Sequence, residues 1–295
     1  MQARKIKDNI ARRIMCILTI SSIVLVILMG AGLYIKSSPI ISANSLRNLL
    51  LGTNWSPIRN QFGFFPFIIG TIWVTGLAII LALPVSFFTA SYLSEYAKPF
   101  MKRFVFPILD ILAAIPSVVY GVWGTLVVVP LISKKIAPLF TSFSAGYTVL
   151  AGGIVLAIMI LPLLISLLLE IFSSVSADLR ETSLCLGATR WQTAKYVVCR
   201  KTMPGIIASV VLSISRALGE TIAVLMVCGN RVIIPHSIFD SCYPLPALIA
   251  NNYGEMLSMP LYESALMFAA LILLIVVLLF NLASRMIIYR LEKEN

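Results

Sequence analysis

From Phe62 to Tyr92 not one side chain carries a charge. A run of that length has no place on the surface of a soluble domain. A bilayer's hydrocarbon core, about 30 Å thick, asks for about 20 apolar residues per spanning helix. The rest of the sequence repeats the pattern. Span one is read as Ile14–Ile35, and span two lies within Phe62–Tyr92. Span three follows at Ile111–Ile132, span four at Tyr147–Leu169, span five at Met203–Cys228 and span six at Ser264–Ser284. Only 12% of the 295 residues are charged and 59% are hydrophobic, about half the charged fraction of an ordinary soluble domain. That excludes a globular soluble enzyme and a disordered protein. The expected fold class is all-α and integral to a membrane, with six transmembrane helices. Span one is too long for the apolar region of a cleavable signal peptide, and no small-residue cleavage pattern follows it cleanly, so it is expected to be retained.

The net charge of +11 is not a nucleic-acid footprint, because the basic residues form short runs between apolar stretches rather than one patch. With the N-terminus inside, sixteen Lys and Arg residues fall on inside segments (4–13, 98–103, 180–201 and 285–293). Six fall on outside loops (36–59, 134–135 and 231), and Arg216 is the remaining one. Basic loops stay in the cytoplasm, so both termini are expected there. Three regions follow: 1–61, with the N-terminal tail, first span and outside loop; 62–290, a five-helix core with a cytoplasmic loop at 171–201; and a tail at 291–295.

Spans two to four hold Pro84, Pro116 and Pro162, expected as interior kinks that either shape the bundle or line a pathway. Small residues recur four apart in span five (Ser209, Ser213, Ala217, and on another face Ser215, Gly219, Ala223), a spacing that lets helices pack closely.

Span five also holds Arg216 and Glu220. An arginine at mid-bilayer costs about 2.5–3.5 kcal/mol on insertion scales. Arg216 lies thirteen residues into the span, roughly 20 Å along a helix, too deep to snorkel easily. Glu220, four residues on, shares its helix face and can pair with it. Two readings stand: an ion pair that locks packing, or a polar site on a translocation path, the usual meaning of an intramembrane charge. The guanidinium fork matches phosphate or carboxylate oxygens. A carboxylate beside it repels a bare anion but accepts a hydrogen bond from a P–OH group, which hydrogen phosphate has and sulfate lacks.

Several chemistries find no footing in the sequence. There is no phosphate-binding G-x-x-x-x-G-K-[ST] loop, no H-E-x-x-H and no G-x-S-x-G. The single histidine, His236, sits beside Pro235 in an outside loop. The five cysteines are scattered without a CxxC, which argues against a disulfide framework or a Cys/His zinc site. The outside loops, Lys36–Gln61 and Gly229–Tyr262, carry Trp55, Pro57, His236, Asp240, Tyr243 and Tyr253, read either as interfacial anchors or as contacts for a partner.

The 31-residue inside loop, Ile171–Lys201, reads as two short helices. The first covers Ala177–Leu186, Gly187 ends it in the left-handed conformation, and Thr189 with Gln192 forms a capping box for the second. Leu179, Leu184 and Leu186 have no core to enter. A membrane-surface hairpin anchored by Trp191 and a docking element for a soluble partner both fit.

E-T-S-L-C-L-G (Glu181–Gly187), continued by G-A-T-R-W-Q-T, resembles the E-A-A-x-x-x-G loop in permeases of ABC importers. Val197-Val198-Cys199-Arg200 stands where that loop usually ends in Leu-Pro, and Pro204-Gly205 follows. I-P-S-V-V-Y-G-V-W-G (Ile115–Gly124), A-S-Y-L-S-E-Y-A (Ala90–Ala97) and R-A-L-G-E-T-I-A-V-L-M-V-C-G-N (Arg216–Asn230) are similar to the phosphate-specific permeases of the PstC type. The likeness covers Phe62–Asn230. It implies the type I ABC importer permease (MetI-like) fold and a non-catalytic transport subunit in a bacterial inner membrane. It also implies four kinds of partner: a second homologous permease (PstA type), an ATPase dimer (PstB type) carrying ATP and Mg, an extracytoplasmic phosphate-binding protein (PstS type), and the lipid bilayer. No cofactor is expected on this chain. Arg216, Glu220, Ser117 and Thr221 are the implied pathway residues, with Asp110 either beside them or at an interface. Glu181, Leu184, Gly187, Ala188, Thr189 and Arg190 are the implied coupling residues. A permease for another oxyanion (molybdate or sulfate) and a phosphate-status sensor that moves nothing remain the alternatives.

Overall fold

The computed structural model describes residues 2–141, 144–254 and 260–294, with 2–8, 260 and 291–294 as backbone only. A long apolar run carries α1 over Gln2–Ala43, through Gly30, Gly32 and Pro39. After α2 (Leu46–Leu51) the chain makes a minimal antiparallel hairpin, β1 (Trp55–Ser56) with β2 (Gln61–Phe62), Trp55 opposite Phe62. The charge-free run becomes α3 (Phe65–Glu95), with Pro66 in the first turn, where its missing N–H costs nothing. Next come α4 (Pro99–Ala114), α5 (Ser117–Leu139), α6 (Val149–Ser173) and α7 (Ala177–Cys185). The remainder is α8 (Arg190–Lys201), α9 (Met203–Leu218), α10 (Ile222–Val227), α11 (Leu245–Asn252) and α12 (Pro260–Glu294). Three segments have wide, π-type turns: Gly124–Val128 and Ile132–Ile136 in α5, and Thr193–Val198 in α8.

Among the described residues α1, α3, α5, α6 and α12 are long and apolar enough to cross a membrane. The pair α8 and α9, bent by 74° about Thr202, makes six when taken as one span. Three expectations are corrected. Residues 111–114 of span three belong to the separate helix α4, and the spanning helix starts at Ser117. Pro116 is therefore not an interior kink. It stands in extended conformation just before α5, whereas Pro84 and Pro162 do lie inside α3 and α6. Span five is not one helix to Cys228, because it breaks at Gly219–Thr221.

The interior is built in three clusters. The central one joins α3, α5, α6 and α10 through Ala78, Ala82, Ile132, Leu156, Ile160 and Val227. At the end carrying α7 and α8, the hairpin end, α3, α4, α6 and α9 meet through Leu93, Leu109, Leu168, Phe172 and Ile206. At the opposite end an aromatic cluster gathers around Trp55, whose ring centroid lies 5.5 Å from Phe62, 5.2 Å from Phe64 and 4.9 Å from Phe67. Tyr243 packs on Phe67 at 5.4 Å. Half-buried Trp55 and buried Tyr243 thus both serve this internal cluster, while His236 and Tyr253 are exposed. Residues 255–259 of that outside loop lie outside the described residues. The stripe Ser209, Ser213, Ala217 is buried, and α9 packs on α6 and α12 as its small residues allow.

Candidate functional site

The break in span five arises from the residues themselves. The Gly219 N–H closes onto the Arg216 carbonyl at 3.2 Å and the Glu220 N–H onto the Ala217 carbonyl at 3.2 Å, tightening the last turn of α9. The Thr221 hydroxyl donates to the Gly219 carbonyl at 3.1 Å, and α10 starts one residue later. Glycine and a short hydroxyl side chain both favour leaving the helix here. Arg216 is therefore in the final turn of α9, and Glu220 is outside it. The expected i, i+4 relation is lost, and among the described residues no ion pair joins the two.

The break faces a second one. α5 begins after the extended residues Ile115 and Pro116. A side chain at Gly121 of α5 would meet Met226 Sδ at 2.7 Å and Ala223 Cα at 3.2 Å, and one at Gly124 would meet Val227 Cγ1 at 2.9 Å. A Cβ at either position would force its neighbours to shift, and the order of contacts shows that α5 and α10 run in the same direction. The Thr125 hydroxyl adds a bond to the Met226 carbonyl at 3.2 Å. Two half-helix N-termini thus lie side by side, each with a partial positive charge.

Arg216 lies within electrostatic reach of the Tyr120 hydroxyl, which donates to the Leu112 carbonyl at 2.8 Å and ties α5 to α4. One turn earlier on α5, Ser117 is half-buried, as are Glu220 and Thr221. Arg216 and Asp110 are exposed. Beside them a cleft of about 230 Å³ is lined by Ile115, Val119, Tyr120, Trp123 and Ile158. The structure therefore groups Arg216 with the start of α5, with Glu220 and Thr221 in the adjoining break, and leaves Asp110 on the open face of α4. Discontinuous membrane helices whose N-termini converge in this way are built to receive anionic groups.

A second candidate site is the hairpin of α7 and α8. Gly187 takes φ +85°. The capping box is formed in full: the Thr189 N–H donates to Gln192 Oε1 at 2.8 Å, and the Gln192 N–H to Thr189 Oγ1 at 3.2 Å. Glu181, Leu184, Gly187, Thr189 and Arg190 are exposed and Ala188 is half-buried, while Leu179, Leu186 and Trp191 present apolar surface to the outside. Nothing lies within 4 Å of a side chain built on Gly187, so Gly187→Ala meets only the backbone cost of a left-handed residue, about 1–2 kcal/mol. Limited proteolysis of the hairpin is expected to quicken in that variant with global thermal stability nearly unchanged.

What reading the sequence missed is the residue that holds this hairpin. Arg180 of α7 pairs with Glu95 at the end of α3 at 3.2 Å, with side-chain exposures of 23% and 8%. Its guanidinium also donates to the Val175 carbonyl at 3.0 Å, to the Phe172 carbonyl and to Ser94 Oγ at 3.4 Å. Ser94 Oγ in turn donates to Glu95 at 2.9 Å, and Lys102 Nζ donates to the Ser94 carbonyl at 3.3 Å. One side chain thus joins α7 to the ends of α3 and α6. Glu95, the first charge after the long neutral run, was the available signal.

A family model described as the binding-protein-dependent transport system inner membrane component matches residues 82–294. The phosphate transport system permease protein PstC of Haemophilus influenzae is 35% identical over 84% of this chain and 82% of its own length. The probable ABC transporter permease protein YqgH of Bacillus subtilis is 36% identical over 91% and 85%. Among solved structures, the bacterial alginate ABC transporter in complex with alginate pentasaccharide-bound periplasmic protein aligns with a TM-score of 0.64 over 94% of both chains at 15% identity. An inward-facing MetNI methionine ABC transporter aligns with a TM-score of 0.54 over 78% of this chain and 94% of that one at 19% identity.

Proposed function

Because the chain belongs to the binding-protein-dependent transport system inner membrane components, and within them to the PstC-type phosphate transport permeases, we propose that it forms half of the pathway of an ATP-driven importer of inorganic phosphate. It is a multi-pass membrane protein, and its relatives are transport components. In this reading a second, homologous permease covers the open face that carries Arg216. A separate ATPase dimer, holding ATP and Mg, docks on the hairpin through Glu181, Leu184, Gly187, Ala188, Thr189 and Arg190. A phosphate-loaded binding protein docks at the opposite end. The basic loops set both termini in the cytoplasm of a bacterial inner membrane.

The observation that carries the reading is the guanidinium set at two converging half-helix N-termini within an apolar bundle. Arg216 supplies a fork for two phosphate oxygens. Ser117 and Thr221 supply hydroxyls, and the first N–H groups of α5 supply dipoles. Glu220, freed from Arg216 by the break, accepts from the P–OH of hydrogen phosphate. Sulfate offers no such donor and meets repulsion instead.

Uptake of labelled phosphate by cells or proteoliposomes carrying the whole importer tests this. Unlabelled phosphate is expected to compete and sulfate is not. Glu220→Gln removes one charged hydrogen bond worth about 1.5–3 kcal/mol and is expected to narrow that preference by roughly tenfold or more. Normal uptake with full sulfate exclusion in that variant removes Glu220 from the selectivity role. Sulfate or molybdate competing as well as phosphate in the native importer overturns the substrate.

A further inference from the structure

Two cysteines fourteen positions apart in the sequence meet at the end of the bundle opposite the hairpin. Cys228 follows the last turn of α10, and Cys242 precedes α11; both are fully buried. The Cys242 N–H donates to the Cys228 carbonyl at 3.0 Å, and Gly229 and Cys242 form a parallel bridge. Both thiols are free in this structure, on backbones held side by side by that bond and bridge. Each backbone is pinned independently. Gly229 (φ +83°) and Asn230 (φ +50°) turn the chain sharply after Cys228, and Asn230 Nδ2 donates to the Leu225 carbonyl at 2.9 Å. On the other strand, Ser241 Oγ donates to the Tyr147 carbonyl at 2.7 Å, and the Leu245 N–H donates to Thr71 Oγ1 at 2.9 Å. The pocket for Cys228 Sγ exists because Gly152 of α6 has no side chain, which would collide with it.

The remaining cysteines are distributed differently. Cys185 lies in the hairpin, Cys199 sits at its far edge in α8, and Cys16 is on α1, near the terminus that the orientation proposed above places inside. Cys228 and Cys242 are the two that this orientation carries to the outer side, and they are the two whose backbones meet. Disulfides persist outside the cytoplasm and are reduced within it.

We infer that Cys228 and Cys242 are a disulfide-forming pair that staples the outer segment 229–241 to the end of α10. The pair is sealed in the folded protein, so the bond forms before this segment packs. One cysteine thiolate attacks a disulfide carried by a protein or small-molecule oxidant, giving a mixed disulfide and one released thiol. The second cysteine then displaces the other half. Two cysteine thiols and one oxidant disulfide become one protein disulfide and two oxidant thiols, which carry away the two protons and two electrons.

The inference rests on the orientation in the proposed function, and the experiment separates the two. Membranes holding the importer are denatured in N-ethylmaleimide, then reduced and treated with a mass-distinct maleimide, and the peptides are mapped. Cys16, Cys185 and Cys199 are expected to carry the first label, and Cys228 and Cys242 the second. First label on both Cys228 and Cys242 overturns the inference. In Cys228→Ser, Cys242 is expected to move to the first label, and its failure to do so gives it another partner and also overturns the pair. Arg231→Cys in a Cys228→Ser, Cys242→Ser background is then exposed to a membrane-impermeant maleimide on intact cells. Labelling upholds the outer placement independently of the disulfide. No labelling in cells that label after lysis removes the placement on which the pair depends.

Discussion

Arg216→Ala is expected to lower phosphate uptake by about a hundredfold or more, with the importer still assembled. Charged hydrogen bonds are worth about 1.5–3 kcal/mol each, and a bidentate guanidinium makes two. The factor of ten per 1.4 kcal/mol sets the range. Assembly is expected to survive because the side chain is exposed on this chain and makes no ion pair among the described residues. Its loss leaves no buried partner stranded. Arg216→Lys keeps the charge and loses the fork, and is expected to fall between the two. The measurement is initial-rate uptake beside subunit amounts in the membrane. Full uptake in Arg216→Ala at normal subunit levels removes Arg216 from the pathway. If uptake is intact while the cell's response to phosphate starvation is lost, the sensor alternative takes its place.

Replacing Arg180 acts by a different route. Arg180→Ala leaves Glu95 almost buried at the end of α3 without its cation, and the Val175 and Phe172 carbonyls without a donor. Removing one member of a buried pair costs about 3–5 kcal/mol, the upper part of the range for single substitutions. A sharp fall in membrane-inserted protein, or a lower melting temperature in detergent, is expected. Glu95→Gln in the same chain is expected to restore much of the loss, because the stranded charge is gone. If Arg180→Ala is as stable as the native chain, the bonds at the base of α7 are peripheral. If the double variant is no better than the single one, Glu95 is not what suffers.

The hairpin was legible from the sequence because its determinants are local. Gly187, Thr189 and Gln192 act within a few residues of one another and behave as their chemistry dictates. The spanning helices were legible for a similar reason: length and apolarity are properties of a single segment. The breaks were not. Gly219 looked like one more small residue in a packing stripe, and spacing alone does not separate a packing glycine from one that ends a helix. Pro116 fits the interior of a kinked span and the residue before a new helix equally well, and the apolar tail of α4 ran on smoothly into α5. The Arg180–Glu95 clamp depends on two helix ends meeting in space, which no local pattern encodes. For the pathway residues the sequence supplied the identities, while the bundle supplied the juxtaposition of Arg216 with the start of α5.

The wide turns in α5 bear on how related chains are to be aligned. Each holds one residue more than an α-turn, and one residue amounts to about 100° of rotation about the axis. The phase of side chains around α5 at Gly121 is therefore not the phase at Ala137 and Leu139, two wide turns later. A homologue shorter by one residue within 124–128 or 132–136 loses a bulge and keeps its helix, whereas the same deletion elsewhere in the span rotates everything beyond it. Gaps in an otherwise ungapped transmembrane segment belong at these two positions, and helical-wheel comparisons across them need to be restarted rather than extended.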